Sequence, residues 1–170
     1  FRVVIPARYA ASRFPGQLLA DLAGRPVLEH VWRQARASGA LEVVVATDDE
    51  WIMAAAQRFG AEAVLTSAHH RSGTERAAEV ADQRGWPDED LVVNCQGDAP
   101  LVPAASIDQV AELLAKFTFM PLTEVAALAV GHPQLVPFVR EAQWQLWVAV
   151  GDRVLDVLPG AGDDDVEPVP

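Results

Sequence analysis

The chain has 170 residues, 51% of them hydrophobic and 22% charged, which is enough for one domain with a real core and too apolar for a disordered segment. Its net charge of -11, from 13 basic and 24 acidic residues, excludes broad binding to nucleic acid or anionic membranes, both of which need a basic surface. The single cysteine, Cys95, excludes an internal disulfide and a cysteine-based zinc site.

The first predicted element is the apolar run Val3-Val4-Ile5, β-branched and short, which reads as a buried strand that Pro6 stops. A loop follows with two arginines, Arg8 and Arg13, among small residues, and it ends at Pro15-Gly16-Gln17. Small residues let a ligand approach the backbone, and guanidinium forks share the charge of phosphates, so a strand that empties into such a loop can hold an anion. The plain alternative is an ordinary loop with two solvated arginines. Only one lysine, Lys116, is present, so cationic work falls to arginine.

Leu18 to Gly24 reads as a connection, Gly24-Arg25-Pro26 as a turn, and Pro26 as a helix start. Val27, Leu28, Val31, Trp32 and Ala35 repeat at helical spacing up to Ser38-Gly39. Glu42 to Ala46 is a second strand, and Asp48 or Asp49 caps a helix that Gly60 ends. Glu62 to Leu65 is a third strand. The polar loop Thr66 to Arg76 then opens a helix that runs through Arg84 and closes at Gly85. Asp90 to Cys95 is a fourth strand, with Cys95 a core thiol, and Pro103 starts a helix through Lys116. Beyond it, Val125 to Val130 reads as a fifth strand, and Leu135 to Arg140 and Gln145 to Val150 as an antiparallel pair. Arg153 to Leu158 is apolar, and the tail is rich in Gly and Asp.

Strands and helices in strict alternation predict an α/β fold, a three-layer α/β/α domain with a mostly parallel, doubly wound sheet and a small antiparallel segment near the C-terminus. Such a sheet gathers three loops at the carboxyl ends of its strands: Ala7 to Gln17, Thr66 to Arg76, and Gln96 to Pro103. Arg8 and Arg13 face phosphates there, Ser72-Gly73-Thr74 offers hydroxyl and backbone groups to a base or ribose, and Asp98 is the natural magnesium ligand. A second carboxylate is available from Asp163, Asp164 or Asp165. Each has a plainer reading. Asp98 can cap the turn before Pro100, Ser72 or Thr74 can be a helix N-cap, and the acidic run can be a solvated tail. The adjacent His69-His70 lack the i, i+4 spacing of a helical metal pair. No apolar run is long enough to span a membrane and no signal peptide precedes the first strand, which fits a cytoplasmic protein.

The order of these residues adds a resemblance. Ile5-Pro6-Ala7-Arg8 followed by Ser12-Arg13-Phe14-Pro15-Gly16 resembles the amino-terminal signature of the 3-deoxy-manno-octulosonate (Kdo) cytidylyltransferases, the CMP-Kdo synthetases. Ala46-Thr47-Asp48, Ser72-Gly73-Thr74-Glu75-Arg76 and Gln96-Gly97-Asp98-Ala99-Pro100 match further segments in the same order, from Val3 to about Lys116. The resemblance implies transfer of CMP from CTP to the sugar acid Kdo with release of pyrophosphate, for lipopolysaccharide precursors. It implies Arg8, Arg13 and Asp98 as catalytic residues. Ala7, Arg8, Arg13, Gln17, Thr47, Ser72, Gly73, Thr74, Arg76 and Gln96 are then nucleotide contacts, and Asp98 with Asp164, from the Pro159-Gly160 turn, would hold Mg²⁺. It also implies a homodimer.

Four departures from the pattern stand out. Gln17 replaces a lysine, Ala99 a glutamate and Pro137 a lysine. A block that carries much of the sugar-acid pocket and dimer interface has no counterpart between about 150 and 153. On this reading residues 1–170 form one nucleotidyltransferase-like domain that lacks that block. The alternatives are a weakened or inactive nucleotide-binding homologue, or a nucleotidyltransferase for another sugar acid.

Overall fold

The computed structural model describes residues 1–9, 15–87, 90–117, 147–150 and 153–155. The expected strand at Val125 to Val130, the strand at Leu135 to Arg140, and Arg13, Pro137 and Asp164 lie outside the described residues.

The elements run β1 (Arg2–Ala7), a 3-10 turn (Gln17–Leu19), β2 (Asp21–Leu22), β3 (Arg25–Pro26), α1 (Val27–Ala37), β4 (Val43–Thr47), α2 (Glu50–Arg58), β5 (Glu62–Leu65), α3 (Gly73–Arg84), β6 (Leu91–Asn94), α4 (Ala104–Phe117), β7 (Trp147–Val150) and β8 (Arg153–Leu155). One sheet has the order β5-β4-β1-β6-β7-β8. Its first four strands are parallel, and β7 is antiparallel to both β6 and β8. The small antiparallel segment near the C-terminus is therefore present, with β8 beside β7.

Apolar burial dictates the layers. Val3, Ile5, Val45 and Val93 pack with Leu28, Val31 and Ala35 of α1, Ile52 and Ala56 of α2, and Ile107 and Ala111 of α4. Alternate residues, Val4, Val44, Ala46 and Val92, face the other way onto Ala77 and Val80 of α3. Period-2 alternation in a sheet buried on both faces produces this split. The chain goes outward from β1 to β4 and β5, then crosses back to β6 on β1's other side. That reversal is the topological switch point, where open α/β sheets take their ligands.

Two local expectations are corrected. Pro6 does not stop β1, for it pairs in register with Ala46 and the strand runs on to Ala7. Val4 accepts from the Cys95 amide, so Val4 faces β6, and Pro6, two residues on, faces the same side. There the β6 ladder has already ended at the Val4–Asn94 pair, so the missing N–H of Pro6 forfeits no bond. The connection before α1 is a two-stranded hairpin. Ala23 (φ 54°) and Gly24 (φ 83°) both take positive φ, the requirement of a two-residue type I′ turn. The Gly24 amide donates to Asp21 Oδ1 at 3.1 Å. An alanine gives no hint of that backbone state. Cap readings fare better. The Asp49 carboxylate accepts from the Trp51 and Ile52 amides, Pro26 immediately precedes α1, and Gly85 closes α3 in the left-handed conformation.

The opposite, amino-terminal end of the sheet is held by polar contacts. Arg2 lies over Trp86 at 5.1 Å and pairs with Asp90, and Glu42 collects Arg2, Arg84 and the Trp86 indole N–H. The carboxyl end carries a different population of groups.

Candidate active site

Three loops meet at the carboxyl end of the sheet, and two glycines record how closely. A Cβ at Gly97 would stand 2.9 Å from the Pro6 carbonyl oxygen, and a Cβ at Gly73 would stand 3.1 Å from Pro6 Cγ and 3.2 Å from Asn94 Nδ2. Pro6 is thus wedged between the turn before α3 and the turn after β6. The end of β1 meets the second and third loops, and at Gly97 the approach is so close to backbone that only glycine fits. A methyl group at 97 must displace backbone, so Gly97→Ala is expected to cost about 1–3 kcal/mol of stability, the usual range for overpacking. Thermal melting of the variant beside wild type checks this.

Ala7 is buried at the end of β1, and Arg8 follows it half-buried. Arg8 Nη2 is buried and has no hydrogen-bond partner among the described residues. Tyr9 closes the first loop: its carbonyl accepts from the Gly16 amide at 2.9 Å, and its ring lies 3.4 Å from the Gly16 Cβ position. The same ring meets Trp51 of α2 edge-on, centroids 5.3 Å apart. Gln17, half-buried, opens the 3-10 turn directly after left-handed Gly16.

The second loop delivers α3. Ser72 is its N-cap, accepting from the Glu75 amide at 3.1 Å, so the plainer reading of Ser72 holds. Thr74 is buried and its hydroxyl has no partner among the described residues. The amino end of this 12-residue helix points its free N–H groups and positive dipole end at the rim, a favourable place for negative charge.

In the third loop, the Ala99 amide donates to the Gln96 carbonyl at 3.2 Å. That turn buries Gly97 and Ala99, leaves Gln96 half-buried and exposes Asp98. No described residue bonds to or pairs with the Asp98 carboxylate. Beneath it, burial pushes the Cys95 thiol up to about 12, with the Asp98 charge adding to the effect, so Cys95 is an inert core thiol.

Two further residues expected to touch the nucleotide, Arg76 and Thr47, are buried. Arg76 is fully buried, and its guanidinium donates to Thr66 Oγ1 and pairs with Asp48 Oδ2 at 3.1 Å. Thr47 is fully buried and its hydroxyl accepts from the Asp49 amide at 3.1 Å. Both side chains bond to protein and are shielded from solvent, and Arg76 Nε keeps no partner among the described residues. Arg76 locks α3 to the end of β4, and Thr47 sets the turn that starts α2.

Asn94 has no assigned role in the sequence reading, although a polar residue ending the apolar run Leu91-Val92-Val93 is a visible signal. It is buried, and neither its Nδ2 nor its Oδ1 has a partner among the described residues. With Arg8, Thr74 and the Nε of Arg76 it makes four residues at this end that keep unspent polar groups. Buried polar atoms are almost always paired, so such a concentration marks a place that is completed by something else.

The profile of the family described as Cytidylyltransferase matches residues 2–131. A 3-deoxy-manno-octulosonate cytidylyltransferase of Haemophilus influenzae is 50% identical over 130 residues, covering 76% of this chain and 50% of that protein. One from Thioalkalivibrio sulfidiphilus is 55% identical over 149 residues, covering 84% of this chain and 59% of that protein. A solved CMP:2-keto-3-deoxy-manno-octonic acid synthetase complexed with CTP superposes with a TM-score of 0.64 at 34% identity, covering 74% of this chain and 55% of that one. The chain therefore spans about half the length of the relatives it matches. With its parallel sheet, its switch-point rim and a match over residues 2–131, the chain belongs to the cytidylyltransferase family.

Proposed function

We propose that the protein transfers a cytidylyl group from CTP to Kdo and releases pyrophosphate, supplying an activated sugar for lipopolysaccharide synthesis in the cytoplasm. The observation that carries this reading is the 50–55% identity to proteins named for that reaction. Arg8 and Arg13 hold the phosphates. Ser72, Gly73, Thr74 and Gln96 surround the cytidine, with Ala7 and Gln17 at the edge of the phosphate loop. The sugar hydroxyl attacks the α-phosphorus in line and pyrophosphate departs. The protein's part is to align the two reactants and offset charge, since phosphoryl transfer needs little else from it.

The donor set fits Mg²⁺ at Asp98. Magnesium takes one or two carboxylates and completes its shell with substrate phosphates and water, whereas a closed cage needs several protein ligands. Asp98 is exposed at the rim, and no group of three or more His, Cys, Asp or Glu gathers as a cage among the described residues. Asp98, with Asp164, would hold the ion, which when bound would neutralise phosphate charge. No helix among the described residues is long and apolar enough to cross a membrane. The net charge of -11 opposes nucleic-acid binding, and a homodimer belongs to the same proposal.

Pyrophosphate release from CTP and Kdo in the presence of Mg²⁺, on the full-length protein, tests the reading. UTP and ATP in place of CTP test the base, and other sugar acids test the acceptor. CTP binding without pyrophosphate release would transfer the conclusion to a nucleotide-binding homologue. Gln17 favours that second reading, because the family's phosphate loop carries a lysine there. A charge-assisted hydrogen bond is worth about 1.5–3 kcal/mol, so Gln17→Lys is expected to raise CTP affinity or turnover roughly ten- to hundredfold. No change in either would remove Gln17 from the phosphate site.

A further inference from the structure

The 66–72 loop, which delivers Ser72-Gly73-Thr74 to the rim, is strapped to α3 by two carboxylates. Glu79 accepts from the Ser67 amide at 2.8 Å, from Gln83 Nε2 at 2.8 Å and from His70 Nε2. Glu75 accepts from the Arg71 amide at 2.8 Å, and its carboxylate lies 3.7 Å from His70 Nδ1. Glu75 and Glu79 are one helical turn apart, a spacing at which like charges repel. The imidazole sits between them with one ring nitrogen toward each. Only the imidazolium has an N–H on both nitrogens, so only the cation serves both carboxylates, and a neutral ring turns a lone pair toward one of them.

We propose that His70 is a positioning residue: as a cation it clasps Glu75 to Glu79, fixes the 66–72 loop, and holds the Ser72-Gly73-Thr74 turn in the form that receives the nucleotide. It touches no reacting atom. The charged groups around the ring are Glu75 and Glu79 on α3 and, within the loop, Arg71, whose charge also acts on Glu75. Asp48, on the neighbouring β4–α2 turn, is taken by Arg76. Backbone amides hold both carboxylates below their ordinary 4.5, the Arg71 amide for Glu75 and the Ser67 amide for Glu79, with His70 assisting each. A depressed carboxylate keeps its contribution until the pH falls below that range, whereas a cationic histidine loses its contribution as the pH rises. The clasp is therefore closed while the ring is protonated and opens when it is neutral.

The nucleotide readout rests on the CTP reading above, and the exchange readout does not. CTP dissociation constants are measured for the full-length protein and for His70→Gln at pH 6 and pH 8.5, and the variant-to-wild-type ratio at each pH cancels the nucleotide's own titration. The expected ratio is about three- to tenfold at pH 6, the span of one or two partly exposed ion pairs, and near one at pH 8.5. Amide exchange over residues 67–71, corrected for intrinsic rates, should quicken in His70→Gln at pH 6 and match wild type at pH 8.5. His70→Ala should loosen the segment at both. A ratio that is the same at both pH values overturns the proposal, because a purely structural role has no reason to follow a proton. Unchanged exchange in both variants also overturns it. Absence of CTP binding in every sample, with the exchange difference intact, removes the CTP reading and leaves the clasp standing.

Discussion

Asp98→Asn is expected to lower kcat for pyrophosphate release at least a thousandfold while the protein melts within about a degree or two of wild type. The two halves of that result have different causes. Asp98 is exposed and has no partner among the described residues, so its loss removes no folded-state contact, and surface changes of this kind stay within about 0.5 kcal/mol. On the proposed function its carboxylate would hold Mg²⁺ at the triphosphate. Losing the ion's stabilisation of developing charge costs several kcal/mol of barrier, with about 1.4 kcal/mol for each decade of rate. The check is a steady-state assay across a magnesium titration, beside a melting curve. A variant that keeps more than a tenth of wild-type turnover at every magnesium concentration would take Asp98 out of the reaction. Excess metal that restores full activity would keep Asp98 as a ligand and shift the loss from rate to metal affinity.

Arg76→Met carries the largest expected effect on stability. Methionine fills much of the space of the arginine stem, so the test isolates the charge and its bonds. The guanidinium is fully buried and joins three elements: α3 by its own backbone, the β5–α3 loop through Thr66, and the β4–α2 turn through Asp48. Removing one partner of a buried pair strands the other and costs about 3–5 kcal/mol. Asp48 keeps about a fifth of its side chain exposed, so water offsets part of that loss and the low end, about 3 kcal/mol, applies. For a chain of this length the melting temperature should fall by about 6–12 °C. Arg76→Lys, which keeps a charge and loses the fork, should fall between. Asp48→Leu placed on top of Arg76→Met should recover part of the loss, because no stranded carboxylate remains. A fall of less than about 2 °C in the single variant would show that the pair contributes nothing to the fold.

Much of the architecture is legible in the residues. Strands β1, β4 and β6 are rich in β-branched residues, and α1, α2 and α3 show their starts and stops in the sequence, so local preference and tertiary outcome agree there. The misreadings share a physical origin. Whether Pro6 ends a strand depends on which neighbour its missing N–H would have faced. Whether Ala23 enters a left-handed turn depends on the hairpin that Asp21 helps to close. Both are settled by contacts distant from the residue type.

The candidate site divides in the same way. The loops and their glycines are visible as motifs, but that Arg76 and Thr47 are fully buried is not. Asn94 becomes conspicuous only when its amide proves unpartnered. Motifs report which residues stand together at the rim, whereas burial decides which of them face outward.

The closure of the first loop bears on how this family can diversify. The Tyr9 carbonyl bonded to the Gly16 amide, with the Tyr9 ring held against Trp51, pins both ends of the arginine-bearing segment to the domain. A segment anchored in this way is insulated from the rest of folding. Doubling its length costs only about 0.6 kcal/mol of closure entropy. Insertions and deletions between those anchors are therefore nearly neutral for the scaffold. On the proposed function, in which this segment holds the triphosphate, libraries of loop length at this one position would change nucleotide preference without disturbing the core.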